Sequence, residues 1–170
     1  MARLAILEYP DPRLRRPSVP VDSFDADLAR LIDDLLETLY GTTGIGLSAP
    51  QAGDLRQVLV MDLSGSASAP QVYVNPEILT STLAGLVEES CLSVPGVVGN
   101  VVRATQLRVR AQDRTGASFE HDLEGMHAVC LQHEMVLHAQ DFCTRRTGRL
   151  YFDIDSLKAH SEYILEEMGK

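Results

Sequence analysis

The feature that most constrains this chain is a change of period between residues 107 and 137. Leu107, Val109 and Ala111 alternate with Arg108, Arg110 and Gln112, the period-two pattern of a strand with one buried face. Asp113-Arg114-Thr115-Gly116 supplies turn residues, and Phe119, His121 and Leu123 alternate again, which predicts an antiparallel hairpin. From Gly125 the period becomes helical, with Met126, Val129, Cys130, His133 and Leu137 on one stripe. Strands that pair with their neighbours, followed by a segregated helix, define an α+β chain.

The rest of the sequence fits that class. Prolines 10, 12, 17 and 20 forbid a helix near the start, so this stretch reads as an extended arm packed on the domain. Leu28, Leu31, Ile32, Leu35 and Leu39 then recur at helical spacing, with Ser23 or Asp25 to cap the start and Gly41 to close the end. Thr42 to Gly53 is a glycine-punctuated loop. Strands are expected at Gln57–Leu63, Gln71–Val74 and Leu83–Glu88, and Ser156 opens a final helix that turns Leu157, Ile164, Leu165 and Met168 inward.

Composition narrows the functional classes. A length of 170 residues suits a single domain spanning 1–170. Twenty-four acids against fifteen bases give a formal charge of −9, which argues against a broad nucleic-acid surface and direct DNA binding. No apolar run is long enough for a membrane span, and Met1-Ala2-Arg3-Leu4-Ala5 has no export signal, so a cytoplasmic location is expected. Cys91, Cys130 and Cys143 are an odd number in an unexported chain, which disfavours a disulfide framework and leaves a thiol for chemistry.

Three stretches bring reactive groups together. Gly44-Ile45-Gly46-Leu47-Ser48-Ala49-Pro50-Gln51 offers close backbone approach at its glycines and an amide donor in Gln51, although glycine pairs usually only punctuate loops. Glu88-Glu89-Ser90-Cys91-Leu92-Ser93 sets a thiol among polar neighbours, where a lone cysteine is more often a small buried hydrophobe. Gln132-His133-Glu134 places an imidazole beside a carboxylate on a helix, as in the first half of a His-Glu-x-x-His zinc signature. The plain alternative for His133 is a satisfied core histidine.

In this order and at these separations the three stretches resemble the peptide deformylases. That family's motifs read Gly-x-Gly-Leu-[Ala/Ser]-Ala-Pro-Gln, Glu-Gly-Cys-Leu-Ser and Gln-His-Glu-x-Asp-His-Leu. Residues 44–51 match the first, and residues 89–93 match the second with Ser90 for its glycine. Residues 132–134 begin the third, and the resemblance covers about residues 3–135. It implies antiparallel β-sheets around a central helix carrying His-Glu, plus an N-terminal and a C-terminal helix. It also implies hydrolytic removal of the formyl group from the N-terminal methionine of newly made polypeptides.

The resemblance assigns roles residue by residue. Cys91 and His133 would bind one divalent metal ion, Fe(II) in the first place, with Ni, Co or Zn as alternatives. Glu134 would carry the proton from the attacking water to the leaving amine. Gln51 and the Leu92 backbone N–H would hold the oxyanion. Gly46 would pair with the substrate backbone, while Gly44, Ile45, Glu88, Val129 and Cys130 would shape the methionine pocket, with Cys130 also readable as core. The partners implied are formyl-methionyl nascent peptides and the ribosome near its peptide exit.

The match departs from the family at one ligand. Four residues after His133, where the family has its second histidine, stands Leu137, and a histidine follows one place late at His138. An i,i+5 pair lies roughly 140° apart around a helix against ~40° for i,i+4, so His138 substitutes directly only across a π-bulge. Gly148-Arg149-Leu150-Tyr151-Phe152-Asp153 resembles the run that closes the family's third motif, which makes Val136–Thr147 a replacement segment with His138, Asp141 and Cys143 as donors. The alternatives are a deformylase fold that has lost metal and activity and binds peptides or the ribosome, and a hydrolase using Cys91 as nucleophile with His133.

Overall fold

The computed structural model describes residues 2–136. Within them the chain runs through α1 (Ala26–Tyr40), β1 (Gly46–Ser48), β2 (Val58–Met61), β3 (Gln71–Cys91), β4 (Val94–Gln112), β5 (Ser118–Glu124) and α2 (Gly125–Val136). The strands form one antiparallel sheet in the order β1-β2-β3-β4-β5, each paired with its neighbour in sequence. None of the described helices is long and apolar enough to cross a membrane.

The first helix forms where the leucine spacing predicts it. Asp25 caps it by accepting from the N–H groups of Asp27 and Leu28, both at 3.0 Å, and Gly41 closes it. The stripe Leu28, Ile32, Leu35 and Leu39 packs with Leu47, Val58 and Val60 into one apolar cluster. The next residues of β2, Leu59 and Met61, point to a second cluster with Tyr73, Leu107, Val109, Leu123 and Leu131. The run Val58-Leu59-Val60-Met61 is therefore apolar throughout because both faces of this strand are covered.

The hairpin at 107–123 forms as expected, with Leu107 opposite Leu123 and Ala111 opposite Phe119. The expected strands at 71–74 and 83–88 are parts of one strand, β3, whose pairing with β4 shifts register between Val74 and Glu77. Asn75 sits there with φ 52°, and its side chain accepts from the Val21 N–H and donates to the Val21 carbonyl. Such a bulge interrupts the alternation without ending the strand. The loop at 42–53 contains β1 and a 3-10 turn at Ala49–Ala52. The N-terminal arm joins both sides of the later cleft: the Leu7 N–H donates to the Gln51 carbonyl, and the Tyr9 N–H to that of Ser93.

Candidate active site

A cleft of about 420 Å³ opens between β1, the β3–β4 turn and α2. Its wall brings together all three sequence stretches: Gly44, Ile45, Gly46 and Gln51; Glu88, Cys91 and Leu92; and Val129, Cys130, His133 and Glu134. Every site residue predicted from the sequence up to 134 therefore lines one cavity. Val129 and Cys130 are buried, Ile45 and Glu88 lie at the exposed rim, and Met126 is half exposed at the mouth. The stripe Met126–Val129–Cys130–His133 thus faces the cleft, while Ala128, Leu131 and Met135 join the core. His138, Asp141 and Cys143 lie outside the described residues, as do Leu137 and the expected final helix.

α2 reaches this depth because its polar residues find partners. Gln132 accepts from the Ala104 N–H at 3.1 Å and donates to the Ala104 carbonyl at 2.7 Å, so its side chain pairs with β4 as another strand would. On the next residue, His133 Nδ1 donates to Glu89 Oε2 at 2.8 Å, a tautomer fixed by a carboxylate that can only accept. Glu89 is held in turn by Arg103 through two parallel bonds of 2.7 and 2.9 Å, with the guanidinium only 1% exposed. Burial alone would raise the Glu89 carboxyl, but Arg103 and His133 outweigh it and hold it at about 2. For His133 burial opposes the charged form, and hydrogen bonds to Cys91 and Glu89 reverse the balance and raise its pKa.

Glu134 is different. It is 4% exposed, and its Oε2 has no hydrogen-bond partner among the described residues. Burial raises its pKa, so this is a carboxylate poised to take up a proton. β1 passes close enough to confine it. A Cβ on Gly46 would lie 2.7 Å from Glu134 Oε1 and 2.8 Å from Cys130 Sγ, so this approach requires glycine. The Cys130 thiol is pushed up by burial and by the neighbouring Glu134 and Glu89, which makes it an inert wall of the cleft.

Gln51 faces Cys91 from the other side. Its Nε2 lies 3.8 Å from Cys91 Sγ and 3.2 Å from Ser93 Oγ, and Gln51 itself is 1% exposed. Two donor groups suited to a soft or borderline divalent metal ion, a thiol and an imidazole, therefore meet beside an unpartnered carboxylate oxygen. His133 has the carboxylate partner that metal-bound histidines characteristically keep. Among the described residues no group of three His, Cys, Asp or Glu side chains is placed to hold an ion. The residues present fit such a group with two protein donors.

The roles of Glu89 and Arg103 and the docking function of Gln132 are not visible in the sequence motifs. A signal for Arg103 existed: the odd-numbered residues of β4 that face inward at 107, 109 and 111 continue upstream through Val101 and Arg103.

An α+β fold with a thiol, an imidazole and a buried carboxylate converging in a cleft defines a hydrolase-like centre with a metal-binding donor pair. The family whose profile this chain matches, over residues 3–143, is polypeptide deformylase. A peptide deformylase of Hahella chejuensis is 45% identical over 156 residues, covering 90% of this chain and 87% of that one. One from Alkalilimnicola ehrlichii is 51% identical over 136 residues, covering 79% of this chain and 76% of that one. The crystal structure of a peptide deformylase from Legionella pneumophila superposes with a TM-score of 0.81 at 37% identity, covering 99% of each chain. The chain belongs to the polypeptide deformylase family, a family of metalloenzymes.

Proposed function

We propose that this chain, as a single domain, removes the N-formyl group from the N-terminal methionine of newly made polypeptides, using one divalent metal ion held in part by Cys91 and His133. The observation that carries the proposal is the buried Glu134 carboxylate, one oxygen unpartnered, beside an imidazole fixed by the Glu89–Arg103 pair. When bound, the ion supplies Lewis-acid chemistry, polarising the formyl carbonyl and activating water at neutral pH. Fe(II) is the proposed metal, with Ni, Co or Zn able to replace it; the third protein donor is assigned to the segment after Val136, with His138 as the first candidate.

The chain's own residues do the rest. Glu134, with its raised pKa, accepts the proton of the attacking water and returns it to the leaving amine. The Gln51 Nε2 group and the Leu92 N–H donate to the oxyanion that forms at the formyl carbon. Gly46 lies on β1, the edge strand of the sheet, so an extended peptide can add alongside it as a further strand. Val129 and Cys130 line the apolar wall suited to a methionine side chain, with Ile45, Gly44 and Glu88 nearer the rim. Formylated nascent chains are the substrate on this reading, met in the cytoplasm near the ribosomal exit.

A specific observation favours a second reading. Residue 137 is leucine where the family places its second histidine, and a two-donor site binds metal weakly. On that reading the fold binds N-terminal peptides or the ribosome without catalysis. Formate release from a formyl-methionyl tripeptide separates the two: the enzyme reading expects turnover that a chelator abolishes and added Ni or Co restores. Turnover indifferent to chelators and blocked by thiol alkylation would transfer the role to Cys91 as nucleophile. No turnover with any metal leaves the binding reading.

A further inference from the structure

An amide that is to hold an oxyanion must present its NH2 group, and a carboxamide turned by half a revolution would present its oxygen instead. The two orientations have almost the same shape, so packing does not choose between them; hydrogen bonds must. In this molecule the choice is made by Ser48, the last residue of β1, which is fully buried. Its backbone N–H and its hydroxyl both donate to Gln51 Oε1, each at 2.9 Å. With the oxygen doubly held, Nε2 is left to face Ser93 Oγ and Cys91 Sγ.

The local sequence explains how this comes about. Gln51 is the third residue of the 3-10 turn for which Ser48 is the N-cap, so its side chain folds back onto the residue before the turn, as in a capping box. Here the returning group does more than satisfy a helix end, because the atom it leaves exposed to the cleft is the donor nitrogen. A residue without a hydroxyl at 48 keeps the backbone bond and loses the second one, leaving a buried lone pair on Oε1.

The geometry points to Ser48 as a positioning residue of the reaction, which fixes the Gln51 carboxamide with its NH2 on the Cys91 side of the cleft. This rests on the assignment of Gln51 as oxyanion donor. The test compares wild type with Ser48→Ala and with Ser48→Cys, which keeps the size and a weaker donor. Each sample is Zn-loaded and its metal content measured; kcat and KM are read on a formyl-methionyl tripeptide, and the Gln51 side-chain NH2 resonances by 15N–1H NMR. For Ser48→Ala the expected result is a kcat lower by about tenfold, the size of one lost hydrogen bond to a charged or developing charge, with KM within about twofold. Metal content stays unchanged, the Gln51 NH2 pair shifts and broadens, and Ser48→Cys falls between.

A wild-type kcat in Ser48→Ala, or a fall in kcat with unmoved Gln51 resonances, overturns the inference. Should the alanine variant not fold, Ser48→Cys decides alone: wild-type kcat and resonances overturn it, and an intermediate kcat with shifted resonances supports it. If wild type itself shows no turnover, the functional reading fails, while the resonances of Ser48→Ala still show whether Ser48 clamps the amide.

Discussion

Along α1 the residues turned inward are Leu28, Leu31, Ile32, Leu35, Thr38 and Leu39, one almost wholly apolar stripe with a solvated opposite face. Along α2 burial runs almost unbroken from Ala128 to Met135 and includes Gln132 and Glu134, with His133 12% exposed. Both helices pack on the same sheet, α1 on β1 and β2, α2 chiefly on β4. The first is held by apolar burial, worth about 25 cal/mol per Å² and indifferent to detail. The second adds directed bonds to its apolar contacts through Ala128, Leu131 and Met135: Gln132 to Ala104, His133 to Glu89, Glu89 to Arg103. A buried ion pair seldom outperforms apolar packing in stability, so what α2 and its partners gain is placement. Both sides contribute stability, and the chemistry sits on the α2 side.

This contrast can be broken at several points. The largest effect is expected at Glu134→Ala, which should lower kcat by about 10²–10⁴-fold while metal content stays nearly intact; unchanged turnover would remove Glu134 from the mechanism. Next comes Arg103→Met, which strands the Glu89 charge in the interior and should cost about 3–5 kcal/mol in denaturant unfolding. Adding Glu89→Gln to it should return much of that stability, yet leave metal affinity about 10–100-fold below wild type because His133 has lost its carboxylate. Recovery of both together would show that the network only stabilises. On the other helix, Leu35→Ala should cost about 2–5 kcal/mol, with the folded fraction retaining wild-type kcat and metal content.

The smallest expected effect concerns pH. Hydrogen bonds from Leu28 and Asp27, led by Leu28, hold the Asp25 carboxyl below its ordinary 3.8. A group depressed on folding stabilises fully above its unfolded pKa, and that contribution is lost as pH falls through the folded value. Acid unfolding of Asp25→Asn should therefore depend less steeply on pH below about 3.8 than wild type; parallel curves would deny the cap its charge.

The same contrast sets what could be read from the sequence. The α1 stripe and the 107–123 hairpin follow from periodicity, because burial there depends only on apolar identity. The cleft residues 44–51, 89–93 and 132–134 were legible only as short motifs, and their convergence in one cavity depends on a fold that brings β1, β3 and α2 together. Arg103 is not legible in the sequence because a charge in an alternating strand ordinarily faces water. It faces inward here, opposite Gly85, while Gly99 stands opposite its partner Glu89. β3 reads as two strands in the sequence because Asn75 and Pro76 imitate a strand end where there is a bulge.

The central claim is that Cys91 and His133 hold a metal ion beside Glu134 even though residue 137 is leucine. It is tested most directly by metal analysis of protein purified without oxygen or chelator and offered Fe(II), Ni or Co. The account predicts about one tightly held ion per chain, lost in a folded Cys91→Ala variant. A folded wild-type chain that retains no metal would contradict it.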